Sequence, residues 1–62
     1  MATIYYDAGE SIQEAELRWM QMNVAELMME RNCLKDMALR RTDAYLRAYI
    51  EALDEILSYY LD

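Results

Sequence analysis

Residues 11–33 place apolar side chains on two opposite faces of one predicted helix, and that duplication limits what this chain can become. At about 100° per residue, Leu17, Met20, Val24, Leu27 and Met28 gather on one side. Ile12, Ala15, Trp19, Met22, Met29 and Cys33 gather on the other. Two polar seams separate them: Glu16, Asn23 and Glu30 in one, Glu14, Arg18 and Gln21 in the other. A surface helix ordinarily carries one apolar stripe. Two stripes need two partners, and the sequence predicts only one other long helix. The second surface is therefore expected to meet another chain.

The other helix is predicted over about residues 36–60. Leu39, Leu46, Ile50, Leu53 and Leu57 form the centre of its apolar face, flanked by Tyr45, Tyr49, Ile56 and Tyr60, with Leu61 at its end. Arg40, Arg47, Glu51, Asp54 and Glu55 lie opposite. Both helices show heptad-like spacing, which pairs Leu17, Met20, Val24 and Leu27 with Leu39, Leu46, Ile50, Leu53 and Leu57 as the intrachain core. That leaves Ile12, Ala15, Trp19, Met22, Met29, Tyr45, Tyr49, Ile56 and Tyr60 as the partner or dimer interface.

Residues 1–10 have the only strand-like character and read as an extended arm, docked through Ile4, Tyr5 and Tyr6 and ending near the sole glycine. Ser11 and Glu14 match a capping box, so helix 1 is predicted over about 11–31. Asn32 can end a helix and Asp36 can cap the next, which places a bend at 32–35, although no glycine or proline there forbids one continuous helix. The expected fold is all-α: an antiparallel helical hairpin over 11–62, dimerising into a four-helix bundle.

Length supports this. So short a chain buries only about 60% of its unfolded surface and needs a staple. One cysteine and no histidine exclude an intrachain disulfide and leave no zinc site. No metal or cofactor is expected, which leaves association, with a homodimer or a larger protein partner. No leader peptide and no long apolar run is visible, so a cytoplasmic location, the host cytoplasm included, is expected, without membrane contact. The net charge of −6 is polarised: residues 1–17 and 48–62 each carry −4, while 18–47 carry +2.

Function follows from surface chemistry, because no catalytic or ligand motif stands out. Without histidine no general base is poised near neutral pH, Cys33 has no Cys or His partner, and an enzyme is not expected. Arg40, Arg41 and Arg47 are too sparse for direct nucleic-acid binding. Tyrosines come as Tyr5/Tyr6, Tyr45/Tyr49 and Tyr59/Tyr60 with no phenylalanine, which suits half-exposed surfaces. Methionine adapts to irregular partners. The leading expectation is a non-enzymatic regulator that sequesters or inhibits a larger protein, as compact phage- or plasmid-encoded antagonists do. The alternatives are an assembly subunit of a larger complex, or a nucleic-acid mimic using Glu10, Glu14, Asp54 and Glu55.

Overall fold

The computed structural model describes residues 4–61, and these are helical without any strand. A short 3₁₀ turn, Tyr5–Ala8, precedes α1 (Ile12–Trp19), α2 (Val24–Arg40) and α3 (Ala44–Leu61). The arm expected over 1–10 is thus extended neither at Tyr5–Ala8 nor at the turn that closes it; residues 1–3 lie outside the described residues. Gly9 ends the turn at φ +87° and donates its N–H to the Tyr6 carbonyl at 3.0 Å. Nothing lies within 4 Å of where a Cβ would stand, so glycine is needed here for its backbone freedom rather than for room.

α1 starts as expected, with the Ser11 hydroxyl accepting the Glu14 N–H at 3.2 Å. The Glu14 carboxylate accepts a hydrogen bond from the Ser11 hydroxyl (3.1 Å), so only half of the reciprocal capping box forms. The helix then stops at Trp19 instead of continuing to residue 31. Met22 closes a turn onto Trp19 (N to O, 3.1 Å), and Asn23 adopts an extended conformation. Asn23 Oδ1 accepts the Glu26 N–H at 2.9 Å, and Glu26 returns the bond to the Asn23 N–H at 3.4 Å. This complete capping box starts a new helix. Asparagine satisfies free amides at a helix start better than it serves a helix interior, and that preference breaks the expected 11–31 helix in two.

The next expected boundary also moves. α2 passes straight through residues 32–35, and the chain turns at Arg41–Asp43. Asp43 Oδ1 accepts the N–H groups of Tyr45 (3.0 Å) and Leu46 (3.4 Å), the role expected of Asp36. Asp36 lies inside α2 and pairs with Arg40 at 3.3 Å. α2 and α3 form an antiparallel hairpin with a three-residue link, and α1 packs on α3.

The corner at 20–23 resolves the puzzle of the two-faced helix. Ala15 and Trp19 come from one predicted stripe and Leu27 from the opposite one, yet all three are fully buried. Turning the chain between them points the first part of one stripe, Ala15 and Trp19, and the later part of the other, Leu27, at one core. Leu34 and Met37 of α2 complete this core with Leu46, Tyr49, Ile50, Leu53 and Leu57 of α3. Ala15, Trp19 and Tyr49, expected on the partner face, are therefore interior. Conversely Leu17 (67% exposed), Met20 (65%) and Leu39 (87%), expected in the core, face outward, because each register assumed a continuous helix 1 and a bend at 32–35. Val24 is half-buried against the core. No helix of the described residues is long and apolar enough to cross a membrane.

Candidate functional site

Arg18, in the last turn of α1, organises the polar side of the molecule. Its Nε and Nη2 donate to Glu10 at 2.9 and 2.7 Å, and its Nη1 and Nη2 donate to Glu30 at 2.6 and 2.7 Å. Nη2 also reaches the Tyr49 hydroxyl at 3.2 Å, and the guanidinium lies 4.2 Å from the centre of the Tyr5 ring. Trp19 Nε1 donates to Glu30, and the Tyr49 hydroxyl donates to Glu10. The three charged side chains are only 11–19% exposed. Forked, charge-assisted bonding of this kind is the strongest hydrogen bonding proteins use.

Ionisation follows from these contacts. The bonds from Arg18 hold the Glu10 carboxyl below its usual range, and the Tyr49 hydroxyl adds to the effect against desolvation. Burial, with the adjacent Glu10 carboxylate, raises the Tyr49 phenol. The guanidinium stays charged, with its pKa raised first by Glu10 and then by Glu30. A second carboxylate–phenol pair, Tyr6 with Asp43, ties the 3₁₀ turn to the α2–α3 link. It pushes the Tyr6 phenol up to about 12, chiefly through that hydrogen bond. The same bond holds the Asp43 carboxyl low. An aromatic series, Tyr6 to Tyr49 to Trp19, runs edge-on behind these pairs, with ring centres 5.0 Å apart at each step.

Beside Arg18 a groove of about 360 Å³ opens between the N-terminal segment, the end of α1 and α2. Ile4, Tyr5, Met22, Met29, Cys33 and Leu34 line it with Arg18, Glu26 and Glu30. Met22, Met29 and Cys33 share one stripe in the sequence, and the structure keeps them together. Met29 is 64% exposed, Met22 and Cys33 half-buried. A second, shallower depression lies by Tyr6, Gly9 and Tyr45. Asp7 and Arg41 close an ion pair across it at 2.7 Å, which leaves little to recruit a ligand.

The remaining expected site residues disperse. Ile12 and Ile56 pack partly buried against the core. Tyr45 accepts the Ile12 N–H at 3.2 Å and, like Tyr60, is about half exposed. Of the four mimicry carboxylates, Glu10 is bound to Arg18, Asp54 pairs with Arg31, Glu14 engages Ser11, and Glu55 is exposed. The described residues hold no cluster of three metal-ligating side chains. No family model, curated protein or solved structure matches the chain.

Proposed function

We propose that this chain is a non-enzymatic regulator that binds a larger protein through the Met22–Met29–Cys33 groove and sequesters or inhibits it. One observation carries the reading: three helices close a core around Trp19 and Leu53, yet a methionine-lined cleft stays open beside it. Flexible thioethers suit an irregular protein surface, and helical grooves are common docking sites for partner segments. A compact phage- or plasmid-type antagonist in a reducing cytoplasm, with Cys33 as a free thiol, fits this description.

A second reading, an assembly subunit or homodimer, draws on the outward Leu17, Met20 and Leu39. Its original motive, an exposed Trp19 stripe closing a four-helix bundle, disappears with Trp19 in the core. Mimicry of nucleic acid is disfavoured because Glu10 and Asp54 are committed to arginines.

The test compares tagged wild type with the Met22→Ser/Met29→Ser double variant in capture from the native cell, with mass spectrometry of the bound proteins. A specific protein should be retained by wild type and lost from the variant while circular dichroism stays unchanged. Identical capture by both would refute the groove as the binding site.

A further inference from the structure

The chemistry of the occupant can be read from what the groove has left to offer. Every N–H of the Arg18 guanidinium is engaged by Glu10, Glu30, Tyr49 or the Met22 sulfur. Trp19 Nε1 is consumed by Glu30. Neither Arg18 nor Trp19 has a donor free for a carboxylate or phosphate, and the other side-chain donors of the described lining, the Tyr5 hydroxyl and the Cys33 thiol, are uncharged. Acceptors are in surplus: Glu26 is exposed and spends one carboxylate oxygen on a 3.4 Å bond to its own helix start. Among the described residues, Arg18 is the only base that lines the cleft. Set against Glu26 and Glu30, which line it too, it leaves a net charge of −1 on the described lining, in a chain of net charge −6. Apolar walls with acceptors at the edge call for aliphatic side chains flanked by cations.

We propose that the groove receives a cationic amphipathic helix of the partner protein, whose leucine-like side chains enter beside Met29 and Cys33 while lysine or arginine meets Glu26. This inference rests on the groove reading above and specifies its ligand. A second copy is the weaker occupant. Its best-suited residue, Leu39 between Lys35 and Arg40, lies about 80° around α2 from Met29 and about 140° from Glu26 by helical spacing. A second copy also brings a net charge of −6 to an acidic rim, which opposes that pairing.

The probe is a short leucine/lysine peptide with helical amphipathic spacing, compared with a scrambled peptide of the same composition and a leucine/glutamate version. Binding is read by anisotropy of the labelled peptide, and its location by the alkylation rate of Cys33, the sole cysteine. The patterned basic peptide should bind about tenfold more tightly than the scrambled one and slow Cys33 alkylation severalfold, while the acidic peptide does not bind. Glu26→Gln, which keeps the capping acceptor, should weaken binding about threefold, and Met29→Ser about tenfold. Equal binding of patterned and scrambled peptides, unchanged Cys33 alkylation, or full binding by Met29→Ser would overturn the proposal. If the basic peptide fails while the double methionine variant still loses its cellular partner, the groove stands and the cation preference falls. Light scattering that showed a growing mass, abolished by Leu39→Glu, would assign the groove to a second copy instead.

Discussion

The α2–α3 hairpin and the N-terminal corner are built on different physics. The hairpin interior is mostly aliphatic: Leu27, Leu34, Leu46 and Leu53 are at most 1% exposed, and water exclusion holds them together. The corner, formed by the 3₁₀ turn, α1 and Tyr49, is tied by one guanidinium, two carboxylates and an aromatic series. An aliphatic core loses stability in proportion to the atoms removed. An ionic corner loses it when one partner leaves the others charged and poorly hydrated. In a chain of 62 residues the second device supplements the apolar area that the short helix α1, of 8 residues, buries chiefly through Trp19 and Ala15.

Variants can break this contrast. The largest loss should come from Leu53→Ala at the centre of α3, about 2–5 kcal/mol, measured by urea unfolding and nearly the same at pH 7 and pH 3.5. Arg18→Leu should cost about 2–4 kcal/mol at pH 7, since Glu10 and Glu30 then face each other without a counter-charge. Its deficit should shrink on acidification. The wild-type Glu10 carboxyl lies below its usual value of 4.5, so its contribution is complete above that pH and fades as pH falls through the lowered folded-state pKa. A deficit that stays constant across that range would remove the distinction between the two regions.

Smaller effects sharpen it. Gly9→Ala should cost about 1 kcal/mol through backbone strain alone and lower the thermal midpoint without disturbing α2 or α3. Leu39→Ala should change stability by less than about 0.5 kcal/mol; a loss on the Leu53 scale would return Leu39 to the core.

The pattern of α3 was legible because one period governs it from Leu46 to Leu57, and packing follows that period. α1 and α2 misled because their apolar spacing continues across a break. Asn23 and Glu26 carry the same cap signature as Ser11 and Glu14, but periodicity on both sides masked it. Part of the doubled stripe has an internal solution, a third rod that a two-helix reading does not contain, while Leu17, Met20, Met28 and Met29 stay exposed. Met22, Met29 and Cys33 were legible as neighbours because two of them share a helix and the third lies one turn before it. The Arg18 cluster was not. Its partners lie 8 residues before and 12 after, on either side of turns, where helical spacing carries no information. Arg18 and Glu30 consequently read as solvated seams between stripes.

Trp19 is the only tryptophan, and it sits where α1 meets the rest of the molecule, its indole N–H bonded to a carboxylate in a dry setting. Its fluorescence is thus an optical gauge native to the chain. Undocking of the first helix shifts the emission toward that of hydrated indole, even while the ellipticity of the longer hairpin holds, so the two regions can be watched coming apart in one titration.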